Sequence, residues 1–287
     1  MKGPRVLQSK FTSGLVCPAC YAALVTGPDA LTCKSCSAIY PIRKGIPFFA
    51  EPPTRQGFDA SFHEEAYAGI STRARFYNSL KRLITSEYSP HDTLNSFLAS
   101  VPLQSIVIEF GSGARRIRSD VLNIDLFPGP NVDLVADIER TPLPSDSVDY
   151  IILDSVIEHV PNPAAVVDEV LRVLKPGGKL LCINPFLFPY HGYPAHYCNF
   201  TKDGIEQLLR RFGRVEVQTH QGPTSAIVNI LSEYVGVIVG RENRTRYMLA
   251  KGVVLTLTFP LKFIDKLLVD RPESHRIASM LGTIATK

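Results

Sequence analysis

No stretch of this 287-residue sequence stays apolar over the roughly 20 residues that a membrane-spanning helix needs. The two most apolar runs, 226–240 and 252–261, are interrupted by Glu233 and ended by Lys262. The opening MKGPRVLQSK carries basic residues without the apolar core of an export signal, so the sequence is read as cytoplasmic, with membrane-peripheral contact as the one departure weighed below. Charge of one sign is missing as well. Thirty-one Lys and Arg stand against 27 Asp and Glu, and a net +4 is short of the concentrated positive field that would itself mark a nucleic-acid partner. Cysteine is sparse, and four of the six fall in two tight pairs while Cys182 and Cys198 stand alone, a grouping that suggests metal rather than disulfides. With 45% hydrophobic and 20% charged residues, the chain can bury one large core beside a smaller module.

The smaller module comes first. Cys17-Pro-Ala-Cys20 and Cys33-Lys-Ser-Cys36 have the spacing C-x2-C-x12-C-x2-C, in which two knuckles flank a hairpin and four thiolates converge on one structural Zn²⁺. A ribbon of this length needs such a staple to fold, and metal binding supplies it. The run Cys36-Ser-Ala-Ile-Tyr-Pro-Ile-Arg-Lys-Gly-Ile-Pro resembles the small zinc-ribbon family whose members activate, or are fused to, methyltransferases. Residues 1–50 are therefore expected to be a zinc ribbon. A breaker-rich linker follows at 51–57, and Phe76, Leu80, Leu83 and Ile84 have helical spacing. Residues 51–103 are read as linker and helical lid, or as a helical spacer without functional contact.

From 104 to 287 the pattern is that of a doubly wound α/β domain. Short β-branched runs at 106–110, 121–124, 132–136, 150–153 and 180–183 alternate with breaker-rich loops, as in a parallel sheet. One amphipathic helix, 163–174, is well specified by Asn162 as N-cap, Pro163 at the first position and a stripe of Val166, Val167, Val170, Leu171 and Leu174. The first strand runs into Glu109-Phe-Gly111-Ser112-Gly113, the second ends at Asp125 and the third at Asp137, which sets three carboxylates along the carboxyl edge where open α/β sheets bind ligands. Asp125 can accept both hydroxyls of a ribose and Asp137 the amino group of an adenine. A dinucleotide would want a third glycine where Ala114, Arg115 and Arg116 stand, and no lysine-serine pair of the phosphate-loop type is present.

In order and spacing, Val107-Ile-Glu-Phe-Gly-Ser-Gly113, Asn123-Ile-Asp125, Val135-Ala-Asp137, Leu143-Pro-Ser-Asp-Ser-Val-Asp149, Ser155-Val-Ile-Glu-His159 and Leu174-Lys-Pro-Gly-Gly178 resemble successive motifs of class I S-adenosylmethionine-dependent methyltransferases, of the type 11 kind. The resemblance spans about 106–212. It implies a Rossmann-like seven-stranded sheet with S-adenosylmethionine as cofactor. Glu109, Gly111, Ser112 and Gly113 would line the methionine end, Asp125 the ribose, Asp137 and Ile138 the adenine, and Asp154 or Ser155 the middle. Two departures stand out: the missing third glycine, and only eleven residues between Gly113 and Asp125 for the helix that normally follows the first strand. Asp133, Asp149 and Glu158 are read as ordinary solvated or capping carboxylates.

The aromatic loop Asn184-Pro-Phe-Leu-Phe-Pro-Tyr-His191-Gly-Tyr-Pro-Ala-His196-Tyr197 is expected to overhang the transferred methyl group and frame the acceptor. Methyl transfer is an in-line displacement that needs a base only for a protonated nucleophile; His191 is the leading candidate base, with His159 and His196 as alternatives or as buried structural histidines. Asn184-Pro-Phe is similar to the signature of amino methyltransferases, but that signature closes the fourth strand, not the fifth. Beyond the loop, Thr201 should cap a helix with Ile205, Leu208, Leu209 and Phe212 inward, and 215–219 and 279–286 should form the last two strands, the seventh antiparallel. The insertion between them, about 222–278, holds both apolar runs and a belt of Arg241, Arg244, Arg246, Lys251, Lys262 and Lys266. Core packing, a subunit interface and contact with an anionic or lipid-linked partner are the readings left open. The function so implied is methyl transfer to oxygen or nitrogen of a small-molecule or glycan acceptor, with an RNA methyltransferase or a non-enzymatic cofactor-binding scaffold as alternatives.

Overall fold

The computed structural model describes residues 14–52, 85, 88–113, 115–192 and 195–287. Phe76, Leu80, Leu83 and Ile84, which carry the expected lid helix, lie outside them.

The cysteine-rich module is a four-stranded antiparallel sheet in the order β1 (Leu24–Thr26), β2 (Ala30–Cys33), β3 (Ile39–Arg43) and β4 (Ile46–Pro47). Its apolar side is shared with the larger domain: Leu15 and Leu31 are buried in the main core, with Leu24, Tyr40, Ile42 and Phe49 against it. Val16 N–H donates to the Pro142 carbonyl at 2.9 Å and Phe49 N–H to that of Val135 at 2.7 Å.

The large domain is built on a seven-stranded sheet of β5 (Val107–Phe110), β6 (Leu122–Asp125), β7 (Leu134–Val135), β8 (Val148–Asp154), β9 (Leu174–Pro185), β10 (Arg214–Gln221) and β11 (Met280–Thr286), in the order β10-β11-β9-β8-β5-β6-β7. Strand β11 is antiparallel to both neighbours, and β5 to β9 are parallel. Order reverses between β5 and β8, the switch point at which such sheets open a crevice. Alternation assigns the faces. Ile108, Phe110, Ile151, Leu153, Leu180 and Cys182 turn toward the layer of α2 (Pro163–Val173) and α3 (Lys202–Leu208). Val107, Ile152, Leu181 and Ile183 turn toward α1 (Thr93–Ser100), which buries Phe97 and Leu98 on them.

Local signals act as expected at α2 and α3, where the side chains of Asn162 and Thr201 accept from the amides of Ala165 and Gly204. The third run shrinks to two residues at the sheet edge. The fifth strand is much longer than expected: the Lys175-Pro-Gly-Gly segment stops the helix and is already strand, because Gly177 and Gly178 bond Lys287 of the returning chain at 3.0 and 2.9 Å. No helix forms between β5 and β6 among the described residues, in keeping with the short spacing.

The insertion departs most from its reading. Helix α4 (Pro223–Gly240) turns through Arg241 and Glu242, both at positive φ (40° and 66°), into α5 (Arg244–Thr258), a 3-10 stretch Phe259–Ile264 and α6 (Asp265–Leu268). Buried Asp265 accepts from the amides of Thr224 and Ser225 at 2.8 and 2.9 Å, so the returning segment caps the start of α4. By length and composition alone, helix Pro223–Gly240 and the unbroken helical run Arg244–Leu268, 18 and 25 residues long with mean hydropathy 1.3 and 1.4, are long and apolar enough to cross a membrane, which corrects the expectation that neither run suffices on that measure. Core packing is also excluded for α5, none of whose residues is buried. The expected basic belt is broken. Lys262 is buried with Nζ donating to the Thr85 carbonyl at 2.7 Å, and Lys251 pairs with Glu233 across the hairpin.

Candidate active site

Strand β5 ends at the switch point and leaves the sheet through a backbone only glycine adopts easily: Gly111 has φ +68°, and a Cβ there would lie 2.6 Å from a Val156 methyl. The amides of Gly111 and Ser112 bond back to the Ile124 carbonyl at 2.8 and 3.4 Å. Gly113 N–H donates to Asp125 Oδ2 at 2.7 Å while Phe127 N–H donates to Oδ1 at 2.8 Å. Asp125 is thus held by the glycine turn and by its own loop. Asp137, just past β7, is tethered to the same edge by Ala136 N–H donating to the Asp125 carbonyl at 3.0 Å. Its exposed carboxylate accepts from Glu139 N–H at 2.9 Å, and Ile138 beside it is buried.

Sequence reasoning missed the cation at this edge. Arg115 bridges the carboxylates of Glu109 and Asp154, with Nη2 2.7 Å from each, at the ends of the two strands that flank the switch point. Burial pushes the Glu109 carboxyl up and the Arg115 charge opposes it. Asp154 also accepts from Ser155 Oγ at 3.2 Å, and Ser155 sits at φ 58°. Glu109 Oε2 and Ser112 Oγ are buried without a hydrogen-bond partner among the described residues, a polar capacity that a ligand in this crevice would satisfy. The cation followed the glycine loop directly, and facing carboxylates were its only available signal.

The aromatic loop after β9 crosses the 3-10 turn Ile157–His159 beyond β8, pinned by Tyr197 N–H donating to the Glu158 carbonyl at 2.8 Å. His196 accepts from His191 N–H on Nδ1 at 3.2 Å and donates from Nε2 to Asn199 Oδ1 at 2.6 Å, so both its nitrogens staple the loop. His191 Nδ1 contacts the Pro189 carbonyl at 3.0 Å, and His159 Nδ1 that of Ala195. Burial is the main cause that pushes the His159 ring below the usual histidine value. The two rings meet edge to face at 5.0 Å between centroids. Between them lies Glu158, fully buried, which corrects its reading as a solvated or capping carboxylate. Asp133 and Asp149 do cap: they accept from Asn123 N–H and Ile106 N–H, each at 2.8 Å.

At the cysteine knuckles, Sγ atoms of Cys17 and Cys36 are 3.6 Å apart and those of Cys20 and Cys33 3.4 Å, and all four lie within 4.8 Å of one another. Amides of Cys36 and Ser35 donate to Cys33 Sγ at 3.4 Å, and these bonds bring the thiol down to about 6.

Residues 112–182 match a family model described as a methyltransferase domain. Over 66 residues, 23% of this chain and 25% of the relative, the sequence is 36% identical to a demethylmenaquinone methyltransferase of Listeria welshimeri. It is 31% identical over 96 residues to an uncharacterized 37.1 kDa protein in a transposon of Streptomyces fradiae, covering 33% of this chain and 28% of that one. The chain thus spans about a quarter of the length of the curated relatives it matches. Among solved structures, a putative sarcosine dimethylglycine methyltransferase from Galdieria sulphuraria has TM-score 0.46 at 14% identity, covering 80% of this chain and 98% of that one. Phosphoethanolamine N-methyltransferase 2 of Haemonchus contortus, with S-adenosyl-L-methionine, has TM-score 0.45 at 17% identity over 84% and 61% of the two chains. The match over residues 112–182, which lie within this sheet, makes that part of the chain similar to a methyltransferase domain.

Proposed function

We propose that the protein is an S-adenosylmethionine-dependent methyltransferase that acts at oxygen or nitrogen of a lipid-soluble or lipid-linked small-molecule or glycan acceptor, at the cytoplasmic face of a membrane. The observation that carries the reading is the built edge at the switch point, with the Gly111 turn, Asp125 fixed beside it and the unsatisfied Glu109 Oε2 and Ser112 Oγ. Residues Glu109, Gly111, Ser112 and Gly113 are assigned to the methionine end, Asp125 to the ribose, Asp137 and Ile138 to the adenine, and Asp154 with Ser155 to the middle. Bound there, the cofactor supplies an electrophilic methyl group on a sulfonium. Arg115 bridges two carboxylates at this edge and is placed to meet the methionine carboxylate. His191, on the aromatic loop, and His159, in the turn it crosses, face Glu158 and are suited to take the proton that has to leave a hydroxyl or ammonium nucleophile. Cys17, Cys20, Cys33 and Cys36 fit a closed structural zinc site, since four thiolates leave no open position.

The acceptor class rests on the α4–α5 hairpin. It leaves Val237, Leu249, Leu257 and Leu267 exposed in one insertion of the catalytic domain, and Arg241, Arg244 and Arg246 crowd its tip. The activity in the name of the Listeria relatives supports a small-molecule acceptor.

Calorimetric titration with S-adenosylmethionine tests the shared premise. Wild-type chain should bind one equivalent, and Asp125→Ala should weaken binding about 10- to 100-fold through two lost hydrogen bonds to a charged acceptor. Equal affinity of the two proteins overturns the assignment.

A further inference from the structure

We infer that Glu158, His159 and His191 form a second metal site, distinct from the cysteine site, that takes a divalent transition-metal ion through two imidazoles and one carboxylate. Both Glu158 oxygens are buried without a hydrogen-bond partner among the described residues, and the side chain is fully inaccessible. A bare carboxylate in such surroundings is costly unless a cation or donors compensate it. The groups that face it make no hydrogen bond to it. Nε2 of His159 and of His191 lie 3.8 and 3.7 Å from the same Oε1, beyond hydrogen-bond reach, and the three ligand atoms fall within 4.8 Å of one another.

The tautomers explain the spacing. Each ring turns Nδ1 to a backbone carbonyl, Ala195 for His159 and Pro189 for His191, which can only accept. Each Nδ1 therefore carries the proton, and in the neutral ring Nε2 presents its lone pair toward Glu158. Two nitrogen lone pairs and an anionic oxygen converging on one point repel one another without a cation between them. An ion with metal–ligand distances of about 2.0–2.2 Å and tetrahedral angles would set its ligands roughly 3.4 Å apart, close to the 3.7 and 3.8 Å that separate the two Nε2 atoms from Glu158 Oε1. An Nδ1–H donated to a backbone carbonyl is also the usual orienting contact of a metal-ligating histidine. His196 holds the arrangement from behind, its ring 4.3 Å from that of His191.

Three protein ligands leave positions open, unlike the cysteine site. Metal binding stands independently of the proposed methyl transfer. The role it suggests rests on that reading and takes the place of the histidine base: an acceptor oxygen entering under the loop would coordinate the ion, which would ease loss of its proton and hold it in line with the methyl group.

The test uses the full chain with zinc filling the cysteine site, titrated with Co²⁺ and followed by visible absorption. One further equivalent should bind with d–d bands and no thiolate charge-transfer band, and Glu158→Gln and His191→Gln should each abolish that signal. His191 lies on the loop, so its variant reads the site even if the buried Glu158→Gln substitution disturbs folding. Absence of a saturable signal in wild type, or an unchanged signal in a folded His191→Gln variant, overturns the site. The same proteins titrated with S-adenosylmethionine separate failure of this inference from failure of the methyltransferase reading.

Discussion

At the scale of single residues, this domain relies on buried polar atoms set against specific partners. Arg115 is the clearest case: one guanidinium joins two strand ends and keeps Glu109 from being an isolated charge in the sheet. His220 is another, on β10, its Nδ1 2.9 Å from Thr93 Oγ1 and 3.2 Å from Ser89 Oγ. Burial pushes its ring below the usual histidine value, only partly offset by the charges of Asp154 and Asp92. The unfolded chain therefore takes up a proton at higher pH than the folded one. Stability should be fully present above the unfolded value near 6.5 and fall as the pH drops below it, by at most about 1.4 kcal/mol per pH unit. The difference in denaturant midpoint between wild type and His220→Asn should be constant above that range and shift on acidification, with the wild type losing more. Parallel curves would show that His220 contributes nothing to acid sensitivity.

At the scale of elements, the glycine turn after β5 is the most tightly constrained. Gly111→Ala adds a methyl where Val156 Cγ2 and Cγ1 already stand 2.6 and 2.7 Å away, in a left-handed conformation. A loss of about 2–4 kcal/mol is expected, falling to about 1 kcal/mol in a Val156→Ala background where only the backbone strain remains. A double-mutant cycle by chemical denaturation checks it, and strict additivity would contradict the clash. This turn was legible in the sequence because a glycine after a β-branched run has few other uses, as were the two capped helices, whose signals are local. The hairpin was not. Glu233 and Lys262 read as interruptions of apolar runs, yet the fold pairs Glu233 with Lys251 and buries Lys262 against a carbonyl, contacts with no mark in local sequence. Gly236 and Gly240 likewise matter because Tyr247 packs onto both, with 2.9 Å between a notional Cβ and the tyrosine at each and Lys251 Cγ equally near at Gly236. Glu158 was misread for the same reason, since what points it inward is a three-residue turn under a loop from a later strand.

At the scale of the whole molecule, the fold joins three parts of different character: a cysteine-pinned ribbon, an α/β sheet and an apolar hairpin. The hairpin makes the molecule two-sided, and flotation on anionic phospholipid vesicles reads that directly. Wild type should rise with the vesicles, whereas a Val237→Glu, Leu257→Glu double variant should stay below with its cofactor binding intact; a wild type that fails to float removes the membrane from the account. The ribbon acts at the opposite rim. Strand β7 is the last of the sheet and only two residues long, and beside it Phe48 forms a parallel bridge to Val135 while Phe49 bonds the same carbonyl. The cysteine module thus serves as a hem on the sheet, occupying the backbone groups that would otherwise offer a template to another chain. If the proposed zinc pins the ribbon, stripping it would do more than unfold a small appendage. It would uncover a raw selvage, and the first sign of metal starvation in this protein should be self-association of molecules whose central domain is still folded.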